Sequence, residues 1–260
     1  MIKLIVSDLD GTLVEDGGGV LNPEYFSVIR GLKAKGIYFC AASGRHASGI
    51  EHLFLPVKDE IFYIGGNGTY VGCRGRELYR TEYKTELTRA MIHDMRAAGM
   101  EIIVDSSDCV YTDSQDQRFL AWIQNGYHFR VRQVEDLLEL TAPVMKIAGC
   151  RMDGIAEAAR PVMEKYGGKL KVTLSGNQWL DTMERSVNKG AAVKILQDGL
   201  MIRPEETVVF GDQMNDVEML KQAYYSFAVA NARLETKQAA RFFADSNEKL
   251  GPLKIMRLFL

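Results

Sequence analysis

Residues 2–12 read Ile2-Lys3-Leu4-Ile5-Val6-Ser7-Asp8-Leu9-Asp10-Gly11-Thr12, and their reading decides the fold. Ile2 to Val6 is largely apolar and β-branched, the pattern of a strand buried on both faces of a sheet. It ends in two acids. A carboxylate at the end of a buried strand is costly unless something pairs with it or coordinates it. The remaining sequence has to supply that partner.

Working outward, Asn22-Pro23-Glu24 reads as an N-cap followed by proline at the first helical position, Phe26, Ile29 and Leu32 mark one face of the helix, and Gly36 stops it. Ile37 to Ala42 is a second buried strand, closing in Ser43-Gly44-Arg45. Ile61 to Ile64 is a third, closing in Gly65-Gly66-Asn67-Gly68. Strands alternating with helices predict an α/β fold with a Rossmann-like parallel sheet, whose ligands bind beyond the carboxyl ends of the strands.

From about Tyr83 the rhythm changes. Leu87, Ala90, Met91, Met95 and Ala98 predict an amphipathic helix, with short strands over 101–105 and 109–112 and helix around Phe119 to Ile123. A strand at 144–150, a helix opening at Asp153 and strands at 169–174 and 179–183 follow. The βα pattern then returns: a helix from Lys189 to Gln197, a buried strand from Thr207 to Phe210 ending in Gly211-Asp212-Gln213-Met214-Asn215-Asp216, a helix from Val217, strands at 225–228 and 242–244, and a closing helix. The predicted organisation is a core at 1–82 and 185–260 interrupted by an inserted α+β domain at 83–184. The insert is expected to act as a hinged lid that admits only small substrates, with hinges near Tyr83 and Arg185.

Composition narrows the function classes. The 260 residues are enough for a large core; 47% are hydrophobic and 25% charged, ordinary globular values. A net charge of −2, with Lys and Arg scattered, gives no reason to expect nucleic acid or an anionic membrane as partner. No window approaches the roughly 20 apolar residues of a membrane span, and no signal-peptide pattern opens the sequence, so a cytoplasmic protein is expected. Cys40, Cys73, Cys109 and Cys150 lie far apart without a CxxC pair and read as buried, reduced thiols.

Asp8, Asp10, Ser43, Asp212 and Asp216 all fall at the carboxyl ends of predicted parallel strands, so topology gathers them at one edge. Singly, each is explained as a cap or turn former; together, that many acids in one crevice repel one another strongly unless a cation is present. Mg²⁺ answers the need, since it prefers oxygen ligands and bridges one or two carboxylates to a substrate phosphate. Asp8 and Asp212 are the natural side-chain ligands, with the Asp10 carbonyl as a third. Lys189 and Ser43 offer a phosphate a positive charge and a hydroxyl, and the Gly11-Thr12 turn offers backbone N–H groups.

Asp8-Leu9-Asp10-Gly11-Thr12, Ser43-Gly44-Arg45, Asn188-Lys189-Gly190 and Gly211-Asp212-Gln213-Met214-Asn215-Asp216 match, in order, the four signature motifs of the haloacid dehalogenase (HAD) superfamily of phosphatases. The sequence resembles that superfamily over essentially its whole length, and the insert resembles the class IIB cap of its Cof-type branch. The resemblance implies that Asp8 is the nucleophile that forms an aspartyl phosphate, and Asp10 the acid and then the base. It implies that Ser43, Gly44 and Lys189 bind the phosphoryl group, that Arg45 and Asn67 reach toward the substrate, and that Asp8, Asp10, Asp212, Asn215 and Asp216 form or orient the Mg²⁺ site. One departure is Ala230, in Ala228-Val229-Ala230-Asn231-Ala232, where the family often carries glycine.

The function so implied is Mg²⁺-dependent hydrolysis of a small phosphorylated metabolite, a sugar phosphate foremost, by a monomer or weak homodimer. A phosphosugar mutase is the alternative within the superfamily. A phospho-accepting receiver is the alternative from another class, opposed by Asp10, which would hydrolyse what a receiver must keep. The aromatics Trp122, Tyr127, Phe129 and Trp179 read as packing residues before substrate contacts, and Lys146 as facing either the cleft or solvent.

Overall fold

The computed structural model describes residues 1–15, 20–83 and 85–260. In chain order the first core segment holds β1 (Leu4–Ser7), α1 (Glu24–Ala34), β2 (Tyr38–Ala42), α2 (Ala47–Leu53), β3 (Phe62–Gly65), β4 (Tyr70–Cys73) and β5 (Arg76–Arg80). Then come α3 (Thr85–Ala97), β6 (Glu101–Asp105), β7 (Val110–Thr112), α4 (Gln117–Ala121), β8 (Val131–Gln133), β9 (Lys146–Cys150), α5 (Ala156–Tyr166), β10 (Lys171–Ser175) and β11 (Trp179–Met183). The last segment holds α6 (Lys189–Leu200), β12 (Thr207–Gly211), α7 (Val217–Lys221), β13 (Tyr225–Val229), α8 (Leu234–Ala239), β14 (Phe242–Ala244) and α9 (Gly251–Arg257). Two compact units result: Met1–Leu78 with Asn188–Leu260, and Tyr79–Val187.

Among the described residues one sheet has eight strands, in the order β14-β13-β12-β1-β2-β3-β4-β5. From β14 to β3 every pair is parallel, and β4 returns antiparallel to β3. The β1 strand lies in the middle, between β12 and β2, with Val6 beside both Val209 and Cys40. Leu4, Ile5 and Val6 are fully buried because each face of the strand is covered: Ile5 packs with Tyr25, Ile29 and Phe39, and Leu4 and Val6 with Val193, Leu196 and Leu220. A continuous apolar run is what such a two-sided position requires.

The α1 helix begins one residue later than the Asn-Pro signal suggests. Pro23 caps it, and Asn22 Oδ1 accepts the Glu24 N–H at 3.0 Å. Its inward face is Tyr25, Val28, Ile29 and Leu32, with Phe26 only partly buried.

The second unit has its own six-stranded sheet, in the order β10-β11-β9-β6-β7-β8, antiparallel except for the β7–β8 pair. Met91, Ile92 and Met95 from α3 and Ala159 and Val162 from α5 pack with Ile102, Val104, Ile147 and Leu180. A separate cluster joins Ile103, Ala148 and Cys150 to Phe119, Ile123, Phe129 and Trp179. The unit's aromatics stack on one another: the Trp122 and Trp179 rings lie 5.4 Å apart and those of Tyr127 and Phe129 5.2 Å, which agrees with their reading as packing residues. Lys146 does not face solvent. It is 4% exposed, and its Nζ lies 3.4 Å from Asp105 Oδ2 and 3.2 Å from Asp181 Oδ1, the two carboxylates holding the amine above its ordinary range against the opposing effect of burial.

The four cysteines are free thiols, three buried and Cys73 partly so. Among the described residues no helix is long and apolar enough to cross a membrane.

Candidate active site

Four neighbouring parallel strands deliver the site. At the end of β1 the backbone of Asp8 still pairs with β12, its N–H donating to the Phe210 carbonyl at 3.0 Å, which fixes the carboxylate at the sheet edge. The chain then turns sharply: the Thr12 and Leu13 N–H groups both donate to the Leu9 carbonyl, and Gly11 takes φ +81°, a left-handed conformation that a side chain strains. Beyond β2, Ser43 is buried and its hydroxyl accepts the Arg45 N–H at 3.1 Å. Beyond β3, Asn67 donates its N–H to the Ser43 carbonyl at 3.0 Å. Gly68 lets that loop approach the start of α6, where an added Cβ would lie 2.5 Å from the Asn188 carbonyl oxygen.

Lys189 occupies the first turn of α6, a helix capped by Asn188 Oδ1 accepting the Ala191 N–H at 2.8 Å. Its side chain is 1% exposed and points into the acids. Nζ donates to Asp8 Oδ1 and, at 2.7 Å, to Asp216 Oδ1. The other Asp216 oxygen accepts the Asp212 and Gln213 N–H groups at 2.9 and 3.0 Å, so Asp216 organises the turn after β12 as well as the lysine. Asp212 Oδ1 accepts the Thr12 hydroxyl at 2.8 Å. Oxygens of Asp8, Asp212 and Asp216 all lie within 4.8 Å of one another, and all three residues are buried.

The electrostatics record an imbalance. Burial, the Asp216 charge and then Asp212 push the Asp8 carboxyl well above the usual carboxylate range, outweighing the opposite pull of Lys189. Burial and Asp216 likewise push Asp212 up to about 6 despite its bond from Thr12. Asp216 and Asp8 hold Lys189 above its ordinary range although burial opposes this. Three carboxylates around one ammonium leave an excess of negative charge among hard oxygen donors, and a hard divalent cation fits that donor set.

The remaining expected site residues sit around this cluster. The Asp10 side chain is not in it: Arg45 grips the Asp10 carboxylate through Nε at 2.9 Å and its terminal nitrogen at 2.5 Å, a bidentate fork with a guanidinium only 4% exposed. Arg45 therefore engages Asp10 in this structure, and the Asp10 carboxylate is not among the clustered acids. The Asn215 amide donates to Asn67 Oδ1 at 2.9 Å, tying the loop after β12 to the loop after β3. Gly44 packs against Asn67, whose amide atoms would lie 3.2 Å from an added Cβ.

Sequence reasoning missed the Thr12 hydroxyl as a partner of Asp212, and it missed a brace behind the Gly11 turn. There Asn231 Nδ2 donates to the Gly11 carbonyl at 2.7 Å, Asn231 Oδ1 accepts the Asn247 N–H at 3.2 Å, and Asn247 Nδ2 donates to the Val14 carbonyl at 3.2 Å. The Ala-Val-Ala-Asn run at the end of β13 was the available signal for this brace.

The family model of haloacid dehalogenase-like hydrolases matches residues 5–256, nearly the whole chain and every site residue above. The chain belongs to that family. Among curated relatives of this HAD hydrolase, the 5-amino-6-(5-phospho-D-ribitylamino)uracil phosphatase YbjI of Escherichia coli K12 is 28% identical over 257 residues, covering 98% of this chain and 95% of the relative. The HMP-PP phosphatase of Klebsiella pneumoniae strain 342 is 29% identical, covering 91% and 87%. A crystal structure from Eubacterium rectale superposes with a TM-score of 0.90 at 32% identity, covering 100% of this chain and 99% of that one. A HAD subclass IIB sugar phosphatase shares the fold, with a TM-score of 0.83 at 22% identity over 99% and 98% of the two chains. The chain is thus a hydrolase of the family to which these phosphatases belong.

Proposed function

We propose that this HAD-type phosphatase is Mg²⁺-dependent and hydrolyses small phosphorylated metabolites, sugar phosphates foremost, through a phosphoaspartyl intermediate on Asp8. One observation carries the reading: a buried carboxylate at the end of the central strand, touched by a buried lysine and crowded by two further carboxylates. Asp8 and Asp212 would hold the metal together with the Asp10 carbonyl, and Asp216 would position Lys189 and the Asp212 loop. Bound there, Mg²⁺ supplies positive charge that lets a phosphate dianion approach the acids.

In the proposed first step an Asp8 carboxylate oxygen attacks phosphorus, the bond from phosphorus to the leaving oxygen breaks, and that oxygen takes a proton from Asp10. In the second, a water attacks phosphorus while giving its proton to Asp10, and the phosphorus–oxygen bond to Asp8 breaks, restoring the carboxylate. Lys189 and Ser43 neutralise and orient the phosphoryl oxygens. For Asp10 to serve in both steps it must exchange its Arg45 fork for the substrate, which gives Arg45 the task of holding the acid until substrate arrives.

The inserted unit is assigned the selection of a small leaving group. The named substrates of the two curated relatives, a phosphorylated ribityl compound and HMP-PP, support a small phosphorylated molecule here. The test is phosphate release over a broad panel of phosphorylated metabolites with Mg²⁺. Hexose and pentose phosphates are expected to show the highest kcat/KM. A phosphoprotein or a nucleic-acid end cleaved faster than any small ester would overturn the substrate class.

A further inference from the structure

The core sheet ends at β14, whose outer edge has no neighbouring strand among the described residues. Open edges are normally kept short, charged or covered, because their free N–H and C=O groups invite pairing with another chain. This one is short, yet it carries aromatics on both faces. Phe243 is 64% exposed, and Phe242, Tyr224 and Tyr225 are exposed beside it. The Tyr225 and Phe242 rings stack at 6.2 Å, and Tyr224 and Tyr225 meet edge-on at 5.1 Å, so these three rings form one patch, and Phe243 is exposed on the opposite face of the strand. A contiguous apolar patch at an open edge marks an association surface.

The sequence of the edge says what it pairs with. It reads Arg241-Phe242-Phe243-Ala244-Asp245. The Arg241 N–H donates to Ser226 Oγ on β13, so that residue faces inward. By the alternation of a strand Phe243 also turns its backbone groups to β13, and Phe242 and Ala244 turn theirs to the open edge. Two antiparallel copies related by a twofold axis at Phe243 would set Phe242 opposite Ala244 as hydrogen-bonded pairs, so the outward groups of each copy meet those of the other. The same register sets Phe243 against Phe243, and Arg241 against Asp245 twice. The edge is therefore complementary to itself in hydrogen bonding, apolar surface and charge at one register. Arg241 lies over the Tyr224 ring at 4.7 Å and Asp245 meets Lys254 at 2.7 Å, both at exposed positions able to face a second copy.

We propose that the chain forms a homodimer through antiparallel pairing of β14 with β14 of a second copy, joining the two core sheets into one. Sedimentation velocity across a dilution series up to about 100 µM chain tests it, since an interface this small is expected in the micromolar range. Dimer is expected in the wild type. Phe243→Lys should abolish it with Tm and phosphatase activity retained. Arg241→Glu and Asp245→Lys, each of which makes two like-charge contacts per dimer, should each weaken it by roughly tenfold or more. The double variant carrying both changes restores opposite charges and should recover dimer. A wild type that stays monomeric throughout, a dimer indifferent to Phe243→Lys, or a double variant no better than the singles would overturn the proposal.

Discussion

Replacing Lys189 by methionine keeps most of the side-chain volume and removes one charge. In the metal-free protein it leaves Asp8, Asp212 and Asp216 buried within 4.8 Å of one another with no cation. Two estimates bracket the cost. Removing one partner of a buried ion pair costs roughly 3–5 kcal/mol. The cluster can instead relieve itself by taking up a proton, and with Asp212 already titrating at about 6, protonation at pH 7.5 costs about 2 kcal/mol. The expected loss is therefore about 2–5 kcal/mol, or a fall in Tm of about 4–20 °C.

The pH dependence has a definite sign. A carboxyl whose folded pKa is raised binds its proton more tightly in the folded state, so its penalty is absent below the unfolded value and grows as pH rises through the folded one. The Lys189→Met loss should accordingly be large at pH 7.5 and small at pH 5. Differential scanning calorimetry in EDTA at both pH values measures it. A Tm within about 2 °C of wild type at pH 7.5, or the same loss at both values, would refute the view that these acids share one buried, undercompensated cluster.

Asp8→Asn should abolish turnover with the fold retained, because the amide is isosteric but is no nucleophile and a poor ligand; activity within tenfold of wild type would remove Asp8 from the chemistry. Thr12→Val deletes the hydroxyl that orients Asp212 and should raise the Mg²⁺ concentration for half-maximal activity by roughly tenfold while sparing kcat at saturating metal; an unchanged metal requirement would show that the 2.8 Å contact is incidental. Added Mg²⁺ should raise Tm above pH 7 and lose that effect below about 6, where protons compete for Asp212. A Mg²⁺ effect equal at pH 5 and pH 8 would contradict the assigned ligands.

The parallel core was legible because β1, β2, β3 and β12 are short, largely apolar and largely buried runs that end abruptly in polar or glycine-rich turns. The same rule hid β5: Arg76-Glu77-Leu78-Tyr79-Arg80 is exposed throughout and lies at the far edge of the sheet, so no apolar signal marks it. The three-residue β8 and the seven-residue α2 are too short for periodicity to register. The strand ends brought Asp8, Asp212 and Asp216 together as expected, since topology alone does so, but not the Asp10 carboxylate, which Arg45 holds outside the cluster. Side-chain partners separated by long stretches of chain were not readable: Thr12 reaches Asp212 across 200 positions, and Arg45 reaches Asp10 across 35. An arginine two residues beyond a serine proposed to bind phosphate looks like a substrate ligand in sequence, and only the folded geometry shows it holding the proposed general acid.

The central claim is that the phosphoryl group passes through Asp8. Asp10→Asn should slow breakdown of the intermediate as well as its formation. Incubating that variant with Mg²⁺ and its best sugar phosphate, quenching in acid, and locating the modification by peptide mass spectrometry therefore tests the claim directly. The account predicts a hydroxylamine-labile phosphoryl group on the peptide containing Asp8, absent from the Asp8→Asn protein. Phosphate release by the wild type with no label on that peptide in either the wild type or the Asp10 variant, or label on any other residue, would contradict it.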